Sequence, residues 1–412
     1  MTDVSVLEVL LYDNPIGTLT RVPGDRTFFA FNETYIEDEN RPVLGLHFKN
    51  AYGELRTEFK PTQAKLMPFF SNLLPEGHMR TYLAERAGVK PSREFFLLWA
   101  LGRDLPGAIV VKPADGDDWP TEANGDFDLD PDKQMRDEMA LRFSLAGVQL
   151  KFSAVNETTG GLTIPAKGIG GSWIVKLPSR EFKGVPENEY SMMTLARLIG
   201  MNVPAVDLVE PSDIENLPKG IEGLKGKAFV IERFDRLSNG GLVHNEDFAQ
   251  IFGVYPEDKY AKASMRNIAT VLASETSNDD ISEFIRRLTF NTLIGNGDMH
   301  LKNWSVFYPD RRNAALSPAY DFVSTIPYIP GDKAALKFSR TKRFDEFSED
   351  ELAHLAAKAQ LPETLVIDTA RETVELFHQY WRSEKQNLPL TQQIIKAIEA
   401  HLATVPLARS RS

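Results

Sequence analysis

The hydrophobic pattern of this chain changes period along its length, and that change limits the folds open to it. Val4 to Leu11 reads Val-Ser-Val-Leu-Glu-Val-Leu-Leu, a strand-like run closed by the turn residues Asp13-Asn14-Pro15-Ile16-Gly17. Beyond His244 helical spacing takes over, with Ile281, Phe284, Ile285, Leu288 and Thr292 forming one apolar stripe. Strands first and helices later specify an α+β chain in which a mostly β layer feeds a mostly α one.

Within that frame the runs Thr27–Phe31 and Val43–Phe48 continue the strand pattern. Helical spacing starts at Leu66, Phe69, Phe70, Leu73 and Leu74 and stops at Pro75-Glu76-Gly77. It resumes over Met79–Ala87 and Phe95–Leu101, and Ala108–Val111 predicts a strand. Residues 1–112 therefore read as an α+β domain. Residues 113–138 carry ten acidic and two basic side chains, a balance of −8 within a net charge of −11. This stretch reads as a solvated acidic linker; around Asp126-Phe127-Asp128-Leu129-Asp130 the glycine and terminal glutamate of an EF-hand are missing. Strands are expected around Phe143–Ala154, Ser172–Leu177 and Lys227–Phe234 (within 139–235). Residues 236–412 are expected to be mainly helical, with helices at Leu365–Trp381 and Ile394–Leu402 and a capping box at Ser348-x-x-Glu351. A further helix is expected at Tyr190–Ile199.

Composition removes several chemistries. The chain has no cysteine, which excludes disulfides, thiolate metal sites and cysteine nucleophiles and fits a cytoplasmic location. Its seven histidines include no H-E-x-x-H, and there is no G-x-S-x-G. The first basic residue is Arg21 and the densest apolar run is Phe95–Leu101, so neither a leader peptide nor a membrane span is expected. Net charge of −11 argues against the chain binding nucleic acid by itself.

The segment richest in chemistry is Gly295-Asn296-Gly297-Asp298-Met299-His300-Leu301-Lys302-Asn303, lying between the striped helix and the apolar run Trp304–Tyr308. Asn-Gly and Gly-Asp are also common turn dipeptides, so the loop gains meaning from its context. Asp298 and Asn303 stand five apart, the spacing of a phosphotransferase loop whose Asp takes a hydroxyl proton and whose Asn oxygen holds a metal. Eighteen residues on, Tyr320-Asp321-Phe322 offers a second carboxylate suited to Mg²⁺. Upstream, Trp173-Ile174-Val175-Lys176 resembles a strand ending in a phosphate-binding Lys, and Glu189 is placed to pair with it from the next helix. Its alternative is a helix-start Glu favoured by the dipole. Phe143 to Lys151 offers small residues and a charge for phosphate contact; Gly168-Ile169-Gly170-Gly171 reads equally well as a hairpin turn. Ile231-Glu232-Arg233-Phe234 ends a strand where a nucleotide base would meet a hinge. His300 reads as a brace of the loop, not a metal ligand.

These motifs, taken in order, resemble the HipA-type serine/threonine kinase toxins of bacterial toxin–antitoxin pairs. The resemblance includes Phe70 to Gly77, Leu101 to Ala108, Ser144 to Lys151, Val175 to Pro178, Asn188-Glu189-Tyr190, Glu232 to Arg236, His244 to Gln250, Asn296 to Asn303 and Tyr320-Asp321. It implies a two-lobed protein-kinase-like fold with an N-terminal α+β subdomain and a mainly α-helical C-terminal lobe.

Carried over, it makes Asp298 the catalytic base, with Asn303 and Asp321 holding Mg²⁺. ATP would be bound by the loop Ala146, Gly147, Val148, Gln149, Leu150 and Lys151, by Lys176, by Glu232, Arg233 and Phe234, and by His300, Leu301, Lys302, Asn303, Tyr320 and Asp321. Ser144 would be the autophosphorylated serine. The implied partners are a HipB-like helix-turn-helix antitoxin, operator DNA reached only through it, and a protein substrate such as an aminoacyl-tRNA synthetase. Two other classes share these residues: a small-molecule phosphotransferase, and a non-catalytic kinase-like co-repressor.

Overall fold

In the computed structural model, residues 4–114, 151–156, 162–163, 171–179, 181–217 and 225–409 are described. The first sheet has the order β4-β3-β2-β1-β5, built from β1 (Ser5–Leu11), β2 (Asn14–Val22), β3 (Arg26–Phe31), β4 (Thr62–Gln63) and β5 (Ile109–Pro113), all antiparallel. Strand β3 shows the cause: every second residue is buried, placing Thr27, Phe29 and Phe31 on the core face. Against this sheet pack α1 (Glu33–Glu37), α2 (Pro68–Ser71), α3 (Gly77–Ala87) and α4 (Glu94–Leu101), around a core rich in phenylalanine.

Three expectations change here. The β1–β2 turn sits at Tyr12 and Asp13, both at positive φ, and Asn14 to Gly17 already belong to β2. Leu66 to Leu74 yields a single helical turn, because Pro68 fixes its start. Val43–Phe48 is not a strand; Leu46–Phe48 is one 3₁₀ turn. The Leu46 N–H donates 2.6 Å to Glu246, which takes it away from any ladder.

The second sheet, ordered β10-β7-β6-β8-β11-β9, comprises β6 (Lys151–Asn156), β7 (Leu162–Thr163), β8 (Trp173–Lys176), β9 (Val206–Val209), β10 (Ile214–Glu215) and β11 (Ala228–Glu232). Strand β11 is buried on both faces: Phe229 and Ile231 enter the large helical core, while Ala228 and Val230 join a smaller cluster. Helix α5 (Val185–Leu198) covers the first face. It begins before the expected Tyr190, with Pro186 in its first turn, where a missing N–H costs nothing.

The C-terminal lobe contains a third sheet, β12-β13-β14, of Asn245–Asp247, Ser305–Phe307 and Ala315–Leu316. Around it stand α6 (Phe248–Ile251), α7 (Met265–Glu275), α8 (Asn278–Leu293), α9 (Glu349–Ala359), α10 (Glu363–Glu384), α11 (Gln392–Leu402) and α12 (Pro406–Arg409). The stripe on α8 is buried, and α8 packs most closely on α10. At α9 the box is half made: Ser348 accepts from the Glu351 N–H, but the Glu351 carboxylate turns to Arg340 and the Ser339 N–H. Among the described residues no helix is long and apolar enough to cross a membrane.

Candidate active site

Helix α8 ends at a tight turn, and that turn aims Asp298. Gly295 has φ +65°, where glycine is free of strain, and a Cβ on Gly297 would lie 2.0 Å from the Asp332 carboxylate and would have to displace it. Asn296 is the buried hub. Its amide nitrogen donates 2.8 Å to Asn291 and 3.3 Å to the Asp321 carbonyl, and its oxygen accepts the Asp298 N–H at 2.9 Å. The Gly297 N–H reaches Thr325 Oγ1 at 2.8 Å, and Thr325 in turn donates to Asp332. Asn303 closes the loop, its amide nitrogen donating 2.7 Å to the Asp298 carbonyl. That orientation leaves the amide oxygen of Asn303 as its free ligating end.

The Asp298 side chain is about half exposed, at 49 %. The Tyr260 hydroxyl donates to its Oδ1 at 2.6 Å. Burial and the adjacent Asp298 charge hold the Tyr260 hydroxyl well above the usual phenol range. His300 stands edge-on to the Tyr260 ring at 4.9 Å, with Nε2 3.9 Å from Asp298 Oδ1. Burial lowers its pKa to about 4, so the imidazole is neutral near pH 7.

On the second sheet, Lys176 at the end of β8 is buried and donates to both Glu189 on α5 and Asp321. Burial opposes its charge, yet Asp321 and Glu189 hold the ammonium above its ordinary value. Asp321 adopts a left-handed backbone, φ 58°, in the segment after Tyr320. Asn188 fixes that segment to α5, donating 2.9 Å to the Ser324 carbonyl and accepting the Ser324 N–H at 3.1 Å. Phe234 stacks on Tyr320 with 6.1 Å between ring centroids, and the Tyr320 hydroxyl bonds Ser305 and the Lys302 carbonyl.

The expected residues therefore fall into groups. Lys176, Glu189 and Asp321 converge in one cluster, and the Asp321 carbonyl joins it to the Asp298–Asn303 loop through Asn296. Glu232 is exposed at the end of β11, beside Phe234. Two expected nucleotide residues direct their side chains elsewhere. Arg233 is buried against Asp235 at 2.9 Å and Asp104 at 3.4 Å. Lys302 reaches Glu76 at 2.8 Å and the Asn72 carbonyl at 2.9 Å, and Leu301 is buried. Ser144, Ala146 to Leu150, Gly168 to Gly170 and residues 115–138 of the acidic stretch lie outside the described residues; Lys151 opens β6. Sequence reasoning passed over Tyr260, which lies 38 residues from Asp298 and belongs to no motif.

Among the described residues no set of three His, Cys, Asp or Glu side chains forms a metal site. A carboxylate and an amide oxygen, Asp321 and Asn303, suit a cation that keeps water and phosphate oxygens in its shell, the habit of Mg²⁺.

Comparison with known proteins accords with this arrangement. Residues 143–381 match the HipA-like C-terminal domain and residues 7–112 the HipA N-terminal domain. The chain belongs to the HipA family. It is 60 % identical over 415 residues to a Sinorhizobium fredii protein named putative kinase Y4dM, covering 99 % of each chain. It is 27 % identical over 393 residues to the serine/threonine-protein kinase toxin HipA of Shewanella oneidensis, covering 84 % of each. The Shewanella oneidensis HipA solved with HipB and operator DNA superposes with a TM-score of 0.71 at 23 % identity, over 98 % of this chain and all of that one. The HipA-family fold is thus an α+β, two-lobed, kinase-like one.

Proposed function

We propose that this chain is an ATP- and Mg²⁺-dependent protein serine/threonine kinase of the HipA toxin type. The observation that carries the reading is the cluster of Lys176, Glu189 and Asp321, drawn from β8, α5 and the segment after Tyr320. A strand Lys paired with a Glu of the next helix, beside a metal-binding Asp, is the phosphate-handling arrangement of protein kinases. Asp298 would accept the proton of an incoming hydroxyl, the role open to a half-exposed carboxylate within reach of solvent. Asn303 and Asp321 would hold Mg²⁺, which when bound neutralises phosphate charge. The backbone around Glu232 and Phe234 would receive the adenine. Lys302 and Arg233, committed elsewhere by their side chains, would contribute backbone only.

The same reading extends to the rest of the chain. Residues 1–112 form an N-terminal domain, 113–138 an acidic linker, 139–235 the nucleotide-binding part and 236–412 the catalytic lobe of a cytoplasmic protein. A HipB-like antitoxin would bring the chain to operator DNA, and the substrate would be a translation protein such as an aminoacyl-tRNA synthetase. Ala146 to Lys151 would cover the phosphates, and Ser144 would be the self-modified residue. A phosphoserine of charge about −1.5 to −2 beside bound ATP phosphates repels that loop from the site.

The test is intact-mass measurement after incubation with ATP and Mg²⁺, with Asp298→Ala in parallel. One added phosphoryl group on Ser144, absent from a folded Asp298→Ala, is the expected result. Loss of the base should slow transfer by about 10²–10⁴-fold. Near-normal transfer by the variant would overturn the assignment of Asp298, and transfer to small alcohols faster than to any protein would favour a small-molecule phosphotransferase.

A further inference from the structure

The catalytic loop is held from outside its own lobe. Glu76, in the Pro75-Glu76-Gly77 stop before α3, belongs to the N-terminal α+β part, and its two carboxylate oxygens go to two different segments of the C-terminal lobe. Oε1 accepts from Lys302 at 2.8 Å and Oε2 from Lys259 at 2.7 Å. Lys302 lies between Asp298 and Asn303. Lys259 immediately precedes Tyr260, whose hydroxyl rests on Asp298. The Lys259 carbonyl also accepts the Leu301 N–H at 3.4 Å, so the two lysine segments are already joined behind the loop. One carboxylate thus fastens both flanks of Asp298.

The neighbourhood is built around this contact. Lys302 Nζ also donates 2.9 Å to the Asn72 carbonyl and lies 3.9 Å from Asp247. Asn72 itself donates 2.7 Å across the same boundary to the Val254 carbonyl. Glu76 and Lys302 are largely sheltered, at 32 % and 15 % side-chain exposure, so solvent screens the pair less than it does a surface bridge. Burial pushes the Glu76 carboxyl upward, yet Lys302 and Lys259 pull it down to about 2, so it is ionised at any working pH. Without that charge two ammonium groups face each other across the gap, and their repulsion drives the Lys302 and Lys259 segments apart.

We infer that Glu76 is a positioning residue for phosphoryl transfer: through Lys302 and Lys259 it sets the Asp298–Asn303 loop and Tyr260, and so makes the N-terminal domain part of the catalytic apparatus. The inference rests on the kinase reading above for its chemistry but not for its geometry. Glu76 touches no reacting group. Lys176, the phosphate candidate, pairs with Asp321 and Glu189 instead. Loss of Glu76 should therefore disturb the turnover step more than nucleotide binding, which it reaches only through Asn303 and the loop backbone.

The experiment compares wild type with Glu76→Gln, Lys302→Met, the double variant and Lys65→Gln. Lys65 makes an exposed bridge to Glu257 across the same boundary but stays clear of the loop. Two readouts are taken on the full chain: amide hydrogen exchange, and steady-state phosphoryl transfer from ATP. Glu76→Gln should speed exchange over residues 296–304 while β1 to β3 keep their protection. Its kcat should fall about 10- to 100-fold, the cost of a misplaced catalytic group, with KM for ATP near the wild-type value. Lys65→Gln should change neither readout.

In the double variant the two losses should overlap, because each breaks the same contact. Should Glu76→Gln fail to fold, Lys302→Met severs the pair from the other side and answers the same question. Unchanged loop exchange in either folded single variant, or a rise in KM with kcat intact, overturns the inference. A wild type that transfers no phosphate overturns the kinase reading alone, since loop exchange still decides what Glu76 holds.

Discussion

Two ion clusters of opposite composition flank the loop that carries Asp298. In the cleft, one lysine, Lys176, sits between two carboxylates, Glu189 and Asp321; at the domain boundary, one carboxylate, Glu76, sits between two lysines, Lys259 and Lys302. The boundary cluster is rounded off by protein, since Lys302 also has the Asn72 carbonyl and Asp247 nearby. In the other cluster Lys176 and Glu189 are buried, whereas Asp321 is 21 % exposed. A partly exposed carboxylate leaves room for an added ion; a cluster completed by protein is a fastening.

The largest effect that tests this contrast comes from removing the central cation of the cleft. Lys176→Met removes the cation that both carboxylates share, one of them buried, and should cost about 3–5 kcal/mol of stability. Lys302→Met leaves Glu76 with Lys259 at a partly exposed site and should cost about 1 kcal/mol or less. Urea unfolding of the two variants checks the ranking, and equal losses would erase the distinction. A smaller effect concerns Mg²⁺. With its internal competitor gone, Lys176→Met should gain more in Tm from added Mg²⁺ than wild type does, because the Lys176 ammonium no longer competes with the added ion for Asp321 and Glu189. Equal gains in thermal-shift measurements would place the cation elsewhere.

A pH-dependent effect lies in the boundary itself, at Glu246. This residue is fully buried, accepts from the Leu46 N–H and the Tyr308 hydroxyl, and burial raises its pKa to about 8 from an ordinary 4.5. The folded chain therefore holds a proton that the unfolded chain releases. That contribution is fully present below pH 4.5 and is lost as pH rises through 8. Glu246→Gln carries a neutral amide at every pH, so its Tm should fall less than that of wild type between about pH 6 and pH 9. Parallel Tm profiles for the two proteins would show that Glu246 is ionised in the fold.

His244, next to this contact, shows how closely the boundary is fitted. It is fully buried, donates from Nε2 to the Leu44 carbonyl at 2.7 Å, and accepts the Ala108 N–H at Nδ1. Burial lowers its pKa to about 4, which keeps it in the neutral form that can do both. Gly107 packs against the same ring; a Cβ there would lie 2.7 Å from Nδ1, at a backbone φ of +75°.

What could be read along the chain was whatever rests on local spacing. The stripe of α8, the alternation of β3, the continuous apolar run of β11 and the Asp298–Asn303 interval depend on helix and strand period, or on six consecutive residues, and these the sequence carries by itself. The α+β, two-lobed arrangement follows from their order together with the family motifs. Expectations failed where a neighbour distant in sequence intervened. Val43–Phe48 has strand-like composition, but Glu246, 200 residues away, takes the Leu46 N–H. Ser348-x-x-Glu351 has the spacing of a box, but Arg340 claims the carboxylate.

The same reason explains what only the tertiary structure decided. A Lys, a Glu and an Asp from three separate segments form one cluster only after β8, α5 and the post-Tyr320 segment pack together. Tyr260 meets Asp298 only once the C-terminal lobe has folded, and Glu76 meets Lys302 across 226 positions only when the N-terminal domain is seated on that lobe. Periodicity and spacing are properties of adjacent residues. Charge pairing acts through space, so its partners become visible only when the fold has closed the distance.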